Sequence, residues 1–152
     1  MRRERWLVFL FLLPFLACVS TQFEPYSAAQ HYPDAKIAYA TRIFEGDLAT
    51  IAKVGGRVIG KMKAEGSGSG VNNDDMIKRV GENAPDYGGT HFFLTDSSVD
   101  RYFTATGNAW TGYQGPFISH EDHEANFIIL RVEPDRWKEL PKALQPHRWL
   151  YE

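Results

Sequence analysis

Ala125-Asn126-Phe127-Ile128-Ile129-Leu130-Arg131-Val132 is a run of β-branched, aromatic and aliphatic residues broken by two polar ones. Such side chains fit a pleated surface, and the run has the length of a strand rather than of a helix. It predicts the clearest strand in the chain. Upstream, Thr90-His91-Phe92-Phe93-Leu94-Thr95 is a second compact apolar run, entered through Gly88-Gly89, and predicts a buried strand. Arg57-Val58-Ile59-Gly60-Lys61-Met62-Lys63-Ala64-Glu65 alternates instead. Val58, Gly60, Met62 and Ala64 fall on one face and Ile59, Lys61 and Lys63 on the other, the pattern of a half-buried strand.

Around these runs the weaker elements fall into place. Lys36 to Phe44 is rich in β-formers and reads as a first strand, and Arg101 to Thr106 as a further one. Asp47 to Val54 predicts a short helix with Asp47 as N-cap and Gly55 as its stop. A second helix begins at Asn72 or Asn73, carries Asp74 and Asp75 in its first turn, turns Met76, Ile77, Val80 and Ala84 to one face, and ends at Pro85 and Gly88-Gly89. Pro134 to Leu140 predicts a terminal helix with Pro134 near its first position. Gly66 to Gly70 reads as a flexible connector, and Gly107 to Glu124 as irregular. The expected fold is a single small α+β domain over 34–152, with two to three helices packed on a mostly antiparallel sheet.

The N-terminus carries a different message. Met1-Arg2-Arg3-Glu4-Arg5 is basic, Trp6 to Leu16 is apolar, and Ala17 is a small residue at the exit, the three parts of a secretory signal peptide over 1–17. The apolar stretch is shorter than the roughly 20 residues a membrane-spanning helix needs. Phe15-Leu16-Ala17-Cys18 resembles the lipobox of bacterial lipoproteins, although Phe15 stands where that family usually has an aliphatic residue. The resemblance implies acylation of Cys18 with fatty chains such as palmitate, and a new N-terminus there. Cys18 is the only cysteine, so acylation would also explain an unpaired thiol in an oxidising compartment. The competing reading is an ordinary cleavage after Ala17, giving a secreted or periplasmic soluble protein. Residues 18–33, with Pro25 and Pro33 and no sustained apolar period, read as the lipidated cysteine and a tether. Val19 after the cysteine favours the outer over the inner membrane under the enteric sorting rule.

The chain carries a net charge of −2, and the leader holds three Arg against one Glu, so the remainder stands at −4. No run concentrates Lys and Arg on a face, which argues against nucleic acid as a partner. Gly66-Ser67-Gly68-Ser69-Gly70 lacks the Gly-Lys-Ser/Thr ending of a phosphate loop, and its central residue is Gly rather than the Ser of a nucleophile elbow. The densest set of metal-ligating groups is Ser119-His120-Glu121-Asp122-His123-Glu124. His120, Asp122 and His123 are candidate ligands for a divalent metal if one turn brings them together, and a solvated polar turn is the plainer alternative. Trp110, Tyr113 and Phe117 are candidate contacts for a ligand or partner, peptidoglycan or an envelope protein among them. Alternatively they cover one edge of the core. His91 could serve as a proton donor with Asp96 or Asp100, but a satisfied histidine on a sheet is the simpler reading.

The order of Gly56 to Glu65, a polar loop, an Asp-rich helix start and a glycine leading into Thr90 to Leu94 resembles the YbjQ-like proteins and related envelope lipoproteins, the Rcs-type sensor among them. The likeness runs roughly from Lys36 to Asp96. It implies a fold and an envelope setting, with no active site to carry over, and the sensor's disulfides have no counterpart here. The expected function is therefore that of a non-enzymatic bacterial cell-envelope lipoprotein: a domain held to the membrane by a lipid anchor and binding another envelope component, with no cofactor. The alternative is an exported metal-binding or hydrolytic protein built on His120, Glu121, Asp122 and His123.

Overall fold

The computed structural model describes residues 18–27, 31–68, 70–108 and 113–146. The signal-peptide reading of 1–17 lies outside the described residues. Five strands form one sheet in the order β1-β3-β5-β4-β2: β1 Val19–Pro25, β2 Thr41–Ile43, β3 Arg57–Ser67, β4 His91–Asn108 and β5 Tyr113–Arg131. The sheet is mixed, where a mostly antiparallel one was expected. The departure is β2, which runs parallel to β4 at the edge, while β1–β3, β3–β5 and β4–β5 pair antiparallel.

β2 is also shorter than the strand expected over 36–44. Lys36 takes a left-handed φ of 52°, and the chain's amides turn to the end of the neighbouring helix, Ala35 N–H donating to Pro85 O at 3.0 Å and Ala40 N–H to Gly81 O at 2.8 Å. Those bonds satisfy amides of a segment that joins the sheet as a strand only at Thr41–Ile43.

The helices form much as their caps require. Helix α1, Leu48–Lys53, follows a 3-10 turn at Glu45–Asp47, where the Asp47 carboxylate accepts from Phe44 N–H at 2.9 Å rather than capping α1. It closes with Gly55 N–H donating to Ala52 O and Gly56 N–H to Ile51 O, the paired bonds of a Schellman ending, with Gly55 at φ 79°. Helix α2, Asn73–Asn83, opens on a reciprocal box: Asp75 N–H donates to Asn72 Oδ1 and Asn72 N–H to Asp75 Oδ2, both at 3.0 Å. Pro85 continues it as a 3-10 turn to Tyr87, and Gly88, at φ 84°, ends it. The terminal segment starts at Pro134 as expected but winds as 3-10 turns, Pro134–Glu139 and Lys142–Leu144.

Two cores lie against the sheet. Met76, Val80 and Ala84 of the α2 segment pack with Met62, Ala64, Phe92, Phe127 and Ile129. A second cluster gathers Ile43, Ile51 and Val54 with Leu130, Val132, Trp137 and Leu140. β3 enters the first core by a route its alternation hides. The register slips between Val58 and Gly60, so Ile59 joins the buried side at 3% exposure while Val58 is left 43% exposed.

The tether reading of 18–33 does not hold for its first part. Val19, Thr21 and Phe23 alternate with Ser20, Gln22 and Glu24, and the segment pairs with β3 from Val19↔Gly66 to Pro25↔Gly60. Val19 and Phe23 pack on the first core, which offsets the entropy that a free spacer would keep.

Candidate functional site: a projecting hairpin beside Cys18

The stretch expected to be irregular, 107–124, is largely strand. β5 begins at Tyr113 and pairs with β4 through Tyr102↔His120, Arg101↔Glu121, Asp100↔Asp122 and Val99↔His123. β3 accompanies β5 only as far as Ser67↔Asp122. Beyond that pair β4 and β5 run on as a two-stranded ribbon with no third strand among the described residues. Cross-strand contacts hold it: Tyr102 stacks on His120 with ring centroids 5.0 Å apart and planes at 13°, and Arg101 meets Glu121 at 2.9 Å.

Strand geometry decides the fate of the proposed metal ligands. Successive side chains point to opposite faces, so His120 and Asp122 share one face and His123 lies on the other. His120 is engaged with Tyr102, and His123, 9% exposed, approaches Glu121 at 3.7 Å. The reading of His120, Asp122 and His123 as one metal set is thus corrected, because a strand cannot converge residues i and i+3. Among the described residues no group of three His, Cys, Asp or Glu side chains is placed to hold a metal ion.

His91, the other histidine with a chemical reading, is fully buried and far from a proton-donor role. Its Nε2 lies 2.7 Å from Leu144 O and its Nδ1 2.8 Å from Thr90 Oγ1, with neither Asp96 nor Asp100 as a partner. Burial lowers its pKa from the usual histidine value, against the smaller opposing influence of the Leu144 carbonyl.

The aromatic candidates divide. Trp110 lies outside the described residues, as does the side chain of Tyr113, whose backbone opens β5. Phe117 is in the ribbon and 74% exposed, so it covers no edge of the core. Sequence reasoning missed its companions. Phe103 is 70% exposed, and Tyr102 and Ile118 each about half. Alternation places Phe103 and Phe117 on one face and Tyr102 and Ile118 on the other. The ribbon therefore offers apolar surface on both sides.

At the base of the ribbon Cys18 is exposed and shares a shallow cleft of about 500 Å³ with Ser20, Glu65, Asp100, Asp122 and Glu124. Lys63 sits within this acidic surface, 2.7 Å from Glu65 and 2.9 Å from Glu124. Its hydrogen bond holds the Glu124 carboxyl below the usual glutamate range, and the same two carboxylates push the Lys63 ammonium up. The start of β1 and the outward ribbon thus occupy the same end of the sheet. Comparison with protein-family models, with curated proteins and with solved structures finds no match to this chain.

Proposed function

We propose that this chain is a non-enzymatic bacterial envelope lipoprotein, acylated at Cys18, whose projecting hairpin contacts another component of the envelope. The observation that carries the reading is the ribbon itself, with Phe103, Phe117, Tyr102 and Ile118 exposed where they contribute nothing to either core. Apolar side chains held out on an ordered two-stranded arm need a partner surface to be worth their exposure. Lipidation would form a thioether between Cys18 Sγ and a glyceryl carbon of a phospholipid, the headgroup leaving as its phosphate ester with the thiol proton. Hydrolysis of the Ala17–Cys18 bond would then free the Cys18 amino group. Several acyl chains on one cysteine anchor firmly, at about 0.8 kcal/mol for each buried methylene. The envelope setting also agrees with the resemblance to YbjQ-like proteins, and Val19 after the cysteine favours the outer over the inner membrane under the enteric sorting rule.

Mass spectrometry of the N-terminal peptide from protein made in a bacterial host tests the anchor. A peptide beginning at acylated Cys18 is expected. An unmodified thiol, or a start beyond residue 18, sinks the lipoprotein reading.

A further inference from the structure

The outer edge of β4 is open over most of its length. β2 pairs with it only from Thr41↔His91 to Ile43↔Phe93, and among the described residues no strand lies against the rest of that edge. Every residue from Thr95 to Thr104 is exposed. Such an edge presents a row of unpaired N–H and C=O groups, which native folds usually blunt with proline, lysine or brevity. From Asp96 to Asn108 this edge has neither proline nor lysine. The opposite edge of the ribbon differs, because Pro116 interrupts β5 and a proline has no N–H to give a neighbouring strand.

Open backbone of this length fits an extended partner, and the side chains indicate which one. A two-fold axis between two antiparallel copies of β4 must pass a residue that faces itself, because hydrogen-bonded and non-hydrogen-bonded pairs alternate along the ladder. Tyr102 is midway between Asp96 and Asn108, so an axis there uses the whole stretch. It sets Arg101 of each copy opposite Phe103 of the other, and Asp100 opposite Thr104. Arg101 brings a charge already balanced by Glu121 at 2.9 Å, and a guanidinium against an aromatic face is a favourable contact. No like charges stand directly opposite. An axis at Arg101 would oppose two guanidinium groups instead, which destabilises a strand pair. Pairing β4 with the second copy's β5 would meet Pro116, and a head-to-tail joint of that kind does not close on itself.

We infer that two copies of this chain join through the β4 edges of their hairpins, antiparallel about Tyr102, to make a four-stranded arm. The joint pairs the open backbone and covers part of Val99, Tyr102 and Phe103, which are 44%, 48% and 70% exposed in one copy. Phe117 and Ile118 belong to β5, one strand away, and remain on the faces of the arm for the envelope contact proposed above. The joint needs no acyl group, so it stands or falls apart from the lipoprotein reading.

The test uses the full chain in a nonionic detergent with Cys18→Ser, which removes the only native thiol. Sedimentation over the micromolar range should show a dimer. Tyr102→Cys in this background should become a disulfide-linked dimer under mild oxidation, because residues facing each other across an antiparallel pair have Cα atoms about 4.5–5.5 Å apart. Thr104→Cys alone should link about tenfold more slowly, since its counterpart lies four positions along the strand, about 13 Å away. A mixture of Thr104→Cys and Asp100→Cys chains should link one to the other. Phe103→Lys sets a lysine against each Arg101 and should leave a monomer that unfolds in urea like the parent, as Phe103 touches neither core. A parent chain that stays monomeric throughout this range overturns the inference. So does a dimer that survives Phe103→Lys, which must be joined elsewhere. Linking at Thr104 as fast as at Tyr102 overturns the pairing about Tyr102.

Discussion

His91 and Leu144 are joined by a buried hydrogen bond of 2.7 Å that ties the start of β4 to the last 3-10 turn. A carbonyl can only accept, so Nε2 carries the proton. The neutral ring then leaves Nδ1 to accept from the Thr90 hydroxyl, whose oxygen in turn accepts from Val132 N–H at 2.9 Å. Every polar atom of the ring is satisfied without a charge.

That arrangement makes stability sensitive to mild acid. The folded-state pKa of His91 is lowered by burial from a reference of 6.5, so the unfolded chain takes up a proton before the folded one does. Stability is fully present above that reference and declines as pH falls through the window below it, with a slope of up to about 1.4 kcal/mol per pH unit from this group. His91→Gln should be less stable at neutral pH yet lose this slope. Urea unfolding from neutral pH down to about pH 5 reads it, and a slope that survives the substitution would remove His91 as its source.

Arg131 is a clamp that a lysine cannot replace. Its Nη1 donates to the carbonyls of Pro33 and Gly88, each at 3.0 Å, and Nε and Nη2 reach the two oxygens of Glu133 at 3.1 and 3.2 Å. The guanidinium also lies over the Tyr32 ring, 5.6 Å from its centroid. Arg131→Lys keeps the charge but cannot serve two carbonyls and a carboxylate in one plane, leaving buried acceptors unpaired. A loss of about 2 kcal/mol in urea unfolding is expected. Stability equal to the parent would show that the crossover at 32–33 is held by other contacts.

Gly81 tests packing against propensity. In a helix interior alanine is favoured over glycine by about 1 kcal/mol, so propensity alone says that Gly81→Ala stabilises α2. A Cβ at this position would run into the Tyr39 ring. That ring is not free to leave: its hydroxyl donates to Ile77 O at 3.4 Å and it packs edge-on to Phe92. Gly81→Ala should therefore destabilise by about 1–3 kcal/mol. A rise in melting temperature would mean that Tyr39 swings away, and the argument would fail.

Local chemistry was legible wherever a residue acts on its own backbone neighbours. Asn72, Gly55 and Pro134 mark helix starts and stops because capping is decided within a turn. Features that depend on a distant partner were hidden. The Ile59 bulge exists only against β5, and β5 extends through Gly115 and the histidine cluster only because β4 offers it a ladder. No core lies under that ribbon, so its residues show none of the alternation that burial imposes. The tether failed for the opposite reason. Val19 to Glu24 does alternate, but weakly enough that the prolines after it dominated the reading. The His120, Asp122 and His123 set presupposed a turn, and a single wrong element separated its members.

A contact surface and a core differ in what their loss does to the fold, and the hairpin can be sorted by that difference. Phe103 and Phe117 are mostly exposed and touch neither buried cluster. Their joint replacement by serine should leave stability within about 0.5 kcal/mol of the parent. Phe127, one strand position inside the first core and 1% exposed, is the control; Phe127→Ala should cost about 3–5 kcal/mol. Thermal and urea unfolding of the three proteins make the comparison. If the double serine variant unfolds nearly as readily as Phe127→Ala, the ribbon is part of the folded core and its aromatics are not free to meet another surface. If it unfolds like the parent, any association it has lost can be assigned to the contact alone, because the domain that presents the ribbon is unchanged.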